Sequence, residues 1–231
     1  DGTRYVVQGG QLVALPMKPQ EFLASPVLSW LGKLRIALEP FIGRHPSEET
    51  VAQFVRRRLG QEALENLVGP MVSGIYAGDP EQLSLDACFP RLRELETEHR
   101  SLILAMRALK SQNAGPAGRL TTLRGGAGKL TELLASRLDT RCDQPVTRLE
   151  RHGEGWKVGD HQADAVVLAC PAWASATVLR ALDPQLAATL EAIPYVGVAV
   201  VCMGLPREGW TPPEGFGALI PSKEGFGILG T

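Results

Sequence analysis

The chain opens on two β-type runs, "RYVV" and "QLVAL", separated by Gly9-Gly10. Apolar runs on either side of a two-glycine step predict a hairpin over Arg4 to Leu15, ended by Pro16 and Pro19. From Glu21 to about Lys110 the apolar spacing lengthens to the three-and-four rhythm of amphipathic helices. Leu31, Leu34, Ile36 and Leu38 follow it, with Trp30 alongside. Val51, Phe54, Leu64, Leu67 and Val68 are read as inward, and Ser47, ahead of Glu49 and Thr50, as a helix start. Pro90 suits a first helical turn, and Glu96 and Arg100 stand at i,i+4. "QNAGPAG", Gln112 to Gly118, reads as a linker.

Beyond the linker the pattern mixes periods. Leu130, Leu133, Leu134 and Leu138 predict a helix from Lys129 to Leu138 that packs by its leucines. "QPVTRLERHGEGWKV" predicts two strands about a Gly153–Gly155 turn. "ADAVVLACP" and "YVGVAVVCMGL" are continuous apolar runs, expected as buried strands, with short helices in "WASATVLRAL" and "PQLAATLEAI" between them. "GFGALIP" and "FGILG" are expected to pair around "SKEG".

"TLRGGAGKLTELL" invites a phosphate-loop reading and fails it. The residue five before Gly128 is Leu123, and Leu130 follows Lys129, so neither the first glycine nor the Mg²⁺-holding hydroxyl is in place. Lys129 is left as a surface lysine.

Composition narrows the classes. With 231 residues and 44% hydrophobic content, a sizeable core is within reach. A net charge of −1 speaks against a nucleic-acid partner. Arg56-Arg57-Arg58 is the basic run, read as a solvated helix face rather than a contact with phosphate or anionic lipid. Cys88, Cys142, Cys170 and Cys202 are far apart, so neither a metal cluster nor a disulfide framework is expected, and a reducing compartment fits. No apolar run reaches the ~18 residues of a membrane span, and no leader is visible. The start at Asp1 and the stop in "FGILGT" read as those of a fragment.

Candidate catalytic side chains are scarce, with no GxSxG and no HExxH. Asp79 and Glu81 precede a helix start at Ser84 and are read as capping groups. Such a chain would borrow its chemistry from a cofactor. Gly74 and Gly78, Gly125 to Gly128, and Gly215 and Gly217 either make ordinary turns or let backbone approach a flat ligand.

These residues carry a resemblance. "SGIYAGDPEQLSLDACFPRLRELETEHRSLILAM" resembles the signature stretch of the FAD-dependent protoporphyrinogen oxidases, within the amine-oxidase and phytoene-desaturase flavoproteins. "RYVVQGGQLVALP", "LRGGAGKLTELL", "QPVTRLE", "ADAVVLACPAWA", "VGVAVV" and "GFGALIPSKEGFGILG" resemble the same family in the same order. The resemblance implies an α+β / α/β fold of the FAD-linked reductase type, with four segments. Residues 1–16 would be a substrate-domain hairpin, 17–117 an inserted helical, membrane-facing domain, 118–192 part of a Rossmann-like FAD domain, and 193–231 strands of a mixed-sheet substrate domain. Family members begin with a GxGxxG unit, absent here, and end with a flavin-binding segment, so the middle of such a protein is expected.

The resemblance also assigns residues. Arg4 would pair with a propionate, Gly74 would floor the site, and Phe216, Gly217 and Leu219 would pack on the macrocycle. Val146 would hold the FAD adenine through its backbone, and Ala169 and Pro171 would close the strand beside FAD. The implied reaction removes six electrons from protoporphyrinogen IX, with oxygen as acceptor and no protein acid or base. A cytoplasmic enzyme is implied, peripheral on the inner face of the membrane and possible as a homodimer. Oxidation of coproporphyrinogen, another amine-oxidase-like activity, and a non-catalytic module or inactive fragment stand as alternatives.

Overall fold

The structure, a computed structural model, describes residues 2–16, 18–111, 121–206, 208–209, 211 and 213–231. The expected linker Gln112–Gly118, and with it the expected boundary at 117/118, lies outside the described residues. In chain order come β1 (Arg4–Gln8), β2 (Gln11–Ala14), α1 (Pro19–Ala24), α2 (Trp30–Ala37), α3 (Val51–Arg58) and α4 (Gln61–Ala63). A π-helical turn, Leu64–Val68, leads into α5 (Gly69–Tyr76), then α6 (Leu85–Cys88), α7 (Pro90–His99) and α8 (Leu102–Ser111). The remaining elements are α9 (Gly128–Ala135), β3 (Leu149–His152), β4 (Gly155–Val158), β5 (His161–Ala163), α10 (Ala172–Leu179), α11 (Pro184–Glu191) and β6 (Gly217–Leu219). They divide into two compact units, one of Asp1–Gly115 with Val198–Thr231, the other of Pro116–Gly197.

In the first unit the sheet order is β2-β1-β6, antiparallel within the hairpin and parallel between β1 and β6. Gly9 and Gly10 both have positive φ, 59° and 75°, as a two-residue hairpin turn requires. Successive side chains leave the sheet on opposite faces. Val6 packs with Val27 and Leu28 on one face, and Val7 packs with Ala218 and Ile220 on the other. The helical core is Val51, Phe54, Val55, Leu64, Val72 and Leu85. The α3 start is Thr50, not Ser47: Thr50 and Gln53 form a reciprocal capping box, each side chain holding the other's backbone N–H.

The arginine run is not a solvated face. Successive helical residues point ~100° apart, so three arginines in a row cannot share one face. Arg58 is fully buried, donating to Glu96 and, at 3.0 Å, to Glu39. Arg57 forks onto Glu49 at 2.8 and 2.6 Å and reaches Glu96 at 3.0 Å. Arg56 turns out to Gln61 and Glu81, so Glu81 is an ion-pair partner, not a cap. Asp79 does serve its turn, accepting from the Glu81 backbone N–H at 2.9 Å. Arg93 closes the network onto Glu49, Glu96 and Asp86. Glu39 also accepts from the N–H groups of Leu102 and Ile103, which ties the network to the start of α8. Glu96 therefore does not pair with Arg100: it points inward, while Arg100 ends α7 in the left-handed conformation.

Burial works against the charged form of Glu96, but hydrogen bonds and charge from Arg58 and Arg57 outweigh it and hold its pKa below the ordinary value. A carboxylate with a lowered folded pKa contributes stability above its unfolded pKa, roughly 4.3, and loses it as pH falls through the folded value. Acid unfolding of this unit should therefore steepen below about pH 4. Glu96→Gln should lower stability at neutral pH and flatten that acid limb, as read by denaturant melts across pH. An unchanged limb would remove Glu96 as its source.

In the second unit β3, β4 and β5 form an antiparallel sheet, with a turn at Gly153 as expected and a third strand that the sequence pattern did not reveal. The α10–α11 pair buries Ala176, Val178 and Ala187, and Asp183 caps α11. Two expectations fail here. The α9 leucines Leu130, Leu133 and Leu134, and Leu138 beyond its end, are exposed rather than packed. Beyond Ala163, which ends β5, the run "ADAVVLACP" and, at the border of the two units, "YVGVAVVCMGL" form no strand. Among the described residues no segment supplies the N–H and C=O partners that a ladder needs, so Val167 and Val200 stay above 80% exposed. What stands is a fold of helices with small sheets, one mixed and one antiparallel. Among the described residues, no helix is long and apolar enough to cross a membrane.

Candidate functional site

Five of the residues singled out in the sequence meet in the first unit. Arg4 pairs in register with Gly217 and Val6 with Leu219, so Arg4, Val6, Gly217 and Leu219 share the sheet face that Val6 turns toward Val27 and Leu28. Gly74, on α5, lies over Leu219: a Cβ at Gly74 would stand 2.9 Å from Leu219 Cδ2. Val72 faces the helical core, and two residues on, about 200° round the helix, Gly74 faces the other way. The helix therefore approaches the strand as closely as a glycine permits.

Gly217 has a similar constraint from its own side. A Cβ there would fall 2.2 Å from the Thr231 carbonyl, because residues 229–231 fold back along β6. That return, through Ala218 to Thr231 and Ile220 to Leu229 hydrogen bonds, is the expected last hairpin.

The charge at this face is Arg4. It is exposed, its guanidinium lies 5.8 Å from the centroid of the exposed Phe216 ring, and among the described residues it forms no ion pair. A cation on an aromatic face, with its planar fork unengaged, is suited to a planar aromatic or apolar molecule that bears a carboxylate. Phe216, next to Gly217, and Ile75, next to Gly74, are both more than half exposed. Two hollows lie elsewhere. One of about 480 Å³ is lined by His45, Glu48, Glu49, Gln53, Arg56 and Arg57 and belongs to the ion-pair network. Another of about 200 Å³ lies behind α5, lined among others by Pro70, Ser73, Ser222 and Lys223.

The other three residues lie in the second unit. Val146 lies outside any helix or strand, half exposed, and its backbone groups have no protein partner among the described residues. Ala169 lies in an exposed stretch outside any helix or strand, and Pro171 stands at the N-cap of α10, where the Ala172 N–H donates to Tyr195 Oη at 2.9 Å. Exposed backbone outside any ladder offers the hydrogen-bonding groups that a dinucleotide-type cofactor such as FAD takes up. Among the described residues no group of three His, Cys, Asp or Glu is placed to hold a metal.

The sequence reading missed Glu224, Lys223 and Asn66. The Glu224 carboxylate accepts from the N–H groups of Gly9 and Gly10, 3.1 Å each, and Lys223 donates to Asn66. "SKEG" carried only a turn signal. Its pairing with a glycine step more than two hundred residues away had no local trace.

Comparison with known proteins gives the family. The model of the flavin containing amine oxidoreductases matches residues 1–231. The human protein named protoporphyrinogen oxidase is 35% identical over 255 residues, 98% of this chain and 52% of that one. The chloroplastic protoporphyrinogen oxidase of Oryza sativa is 31% identical, covering 99% and 49% respectively. A coproporphyrinogen III oxidase of Bacillus subtilis is 32% identical, covering 98% and 51%. A crystal structure of a candidate protoporphyrinogen oxidase from Exiguobacterium superposes with a TM-score of 0.74 at 22% identity, over 99% of this chain and 53% of that one. The chain thus spans about half the length of the relatives it matches.

Proposed function

This chain belongs to the flavin containing amine oxidoreductases, and we propose that the complete protein oxidises protoporphyrinogen IX to protoporphyrin IX in haem biosynthesis. The observation that carries the reading is Arg4. It is a guanidinium without an acid partner among the described residues, 5.8 Å from the centroid of the Phe216 ring and in register with Gly217, on the strand whose Leu219 meets Gly74. A tetrapyrrole offers the complement, a broad apolar disc with propionates on one edge. Relatives of the same name at 31 and 35% identity support the choice.

In this reading the four segments keep the roles that the resemblance implies. Residues 1–16 and 193–231 form part of the substrate domain, 17–117 the helical domain and 118–192 part of the FAD domain. Bound FAD would take up hydride from the porphyrinogen, three times for six electrons, with oxygen as the final acceptor. The chain's own residues bind and orient. Arg4 pairs with a propionate and fixes the register of the disc. Phe216 offers its face, Leu219 and Gly217 the strand, and Gly74 the close approach of α5 to Leu219. Val146 would hold the adenine through its backbone, with Ala169 and Pro171 beside the cofactor.

Coproporphyrinogen oxidation is the second reading, favoured by the Bacillus subtilis relative. Four propionates would ask for more cations, and among the described residues Arg4 is the cation on the sheet face shared by Val6, Gly217 and Leu219. Oxygen uptake by the complete protein with each porphyrinogen separates the two. Faster turnover of protoporphyrinogen is expected, faster coproporphyrinogen turnover favours the second, and oxidation of only an amine or a carotenoid overturns both.

Exposed residues of the helical block support a peripheral membrane location. Trp30, Leu31 and Phe41 are each at least 75% exposed, Leu34 and Leu38 continue their ridge, and Lys33 lies 5.3 Å from the Trp30 ring centroid. An apolar ridge with an aromatic and a lysine at its edge is suited to lying in a membrane interface. The proposal is a cytoplasmic enzyme resting peripherally on the inner face, as a monomer or homodimer. Replacing Trp30, Leu31 and Phe41 together by serine should abolish co-sedimentation with vesicles and leave turnover of detergent-solubilised substrate intact. Retained co-sedimentation would place the contact elsewhere.

A further inference from the structure

We infer that Glu62 is the positioning residue of the exposed apolar ridge: it clasps α2 by its polar face, so that the ridge meets the membrane as a preformed wedge and not as a segment that folds on contact. The inference rests on the reading of that ridge as a membrane contact.

The helix α2 is turned inside out. At about 100° per residue, Ser29, Gly32, Arg35 and Ile36 fall within about 60° of one line, and Trp30, Leu31 and Leu34 at least about 100° from it. A surface helix normally turns its apolar stripe to the core and its polar stripe to water. Here the first line faces the protein: Gly32 is the buried residue of α2, and Ile36 packs against the cluster of Val6, Val27 and Leu28. The second line faces away, with Trp30 and Leu31 at least 75% exposed and Leu34 more than half exposed. Side chains that stand out so far suit a fluid apolar phase better than the matching groove of a protein.

Polar bonds hold the inner face. Glu62, on α4, accepts from the Ser29 backbone N–H and from the Ser29 hydroxyl, at 2.6 Å each. The same hydroxyl accepts from the Gly32 N–H at 3.1 Å and so caps α2. Glu62 therefore grips the cap itself, next to Trp30. Gly32 admits the carboxylate, for a Cβ there would stand 2.1 Å from Glu62 Oε2. One turn on, Arg35 donates to the Arg57 and Arg58 carbonyls that end α3. Past the helix, Glu39 accepts from Arg58 and from the Leu102 N–H, just before the exposed Phe41. The ridge is tied at its start, middle and end.

The start is the tie that decides. An isolated helix of eight residues is marginal in water, and α2 buries little apolar surface to make up the difference. With its cap gripped, the helix is ordered before any lipid arrives, and membrane binding carries no cost of ordering it.

Co-sedimentation of the complete flavin-loaded protein with phosphatidylcholine–phosphatidylglycerol vesicles tests this, with hydrogen exchange of residues 29–38 followed with and without vesicles. In the unaltered protein the segment should be protected already in the absence of lipid. Glu62→Ala should speed exchange there, recover protection on vesicles, and weaken co-sedimentation about tenfold, the factor expected when the competent arrangement falls to about a tenth of the population. Glu62→Gln, which keeps an acceptor for Ser29, should restore most of the binding. Gly32→Ala should act as Glu62→Ala does, because its methyl group displaces the carboxylate, and the two together should be no worse than either alone. Turnover of detergent-solubilised porphyrinogen should stay intact in each. Unchanged co-sedimentation of Glu62→Ala, additive losses for the pair, or a loss of turnover that parallels the loss of binding would overturn the inference. If the unaltered protein does not co-sediment, the membrane reading fails, and the inference fails with it.

Discussion

Arg58→Met should destabilise the helical block by about 3–5 kcal/mol, the cost of stranding buried charges when one partner of a buried pair is removed. Arg58 is the sole guanidinium in the network with no exposure at all, and it faces two buried carboxylates, Glu39 and Glu96. Arg57 can still neutralise Glu96, but Glu39 loses its cation and keeps only the Ser101 hydroxyl and the α8 backbone. The melt of the complete protein should fall by on the order of 10 °C. Hydrogen exchange should quicken first in α3 and α8. A drop within a degree or two would mean that water or a rearranged Arg93 replaces the lost charge. Arg56→Met, at the surface end of the same run, should change little, since an exposed pair with Glu81 contributes about 0–1 kcal/mol.

Arg4→Ala should weaken porphyrin binding to the complete protein by about 1.5–3 kcal/mol, roughly ten- to hundredfold, while FAD stays bound. The loss combines a charge-assisted pair with a propionate and the stacking of the guanidinium on Phe216, 5.8 Å from its centroid. Arg4→Lys should recover only part, because an ammonium keeps the charge but not the planar fork. Titration of the apo and flavin-loaded proteins with protoporphyrin IX measures this directly. Unchanged porphyrin affinity with loss of flavin would move Arg4 from the substrate to the cofactor.

What the sequence made legible was local. Gly9-Gly10 between two β runs could only be a tight hairpin, and Val51, Phe54 and Leu64 at helical spacing are the helical core. The residues proposed for the substrate came through resemblance, and the register of Arg4 with Gly217 and of Val6 with Leu219 brings Arg4, Gly217 and Leu219 onto one sheet face. Pattern failed where an element's partners are distant or not among the described residues. "YVGVAVVCMGL" has the composition of a buried strand, but burial needs a neighbour on each side, and none is described. The α9 leucines fail for the same reason. The arginine run failed differently: charge reads as solvent-facing until three carboxylates from separate segments, Glu39, Glu49 and Glu96, converge on it. Lys223 and Asn66 stand 157 positions apart, and nothing local to either announces the other.

The most direct test is anaerobic mixing of the complete, FAD-loaded protein with protoporphyrinogen IX, followed by visible absorption. The flavin band should bleach, each FAD taking two electrons, before porphyrin fluorescence appears. On admitting oxygen, three equivalents of hydrogen peroxide should form per porphyrin, two electrons for each of three cycles. A flavin that stays oxidised in the presence of both protoporphyrinogen and coproporphyrinogen would contradict the account.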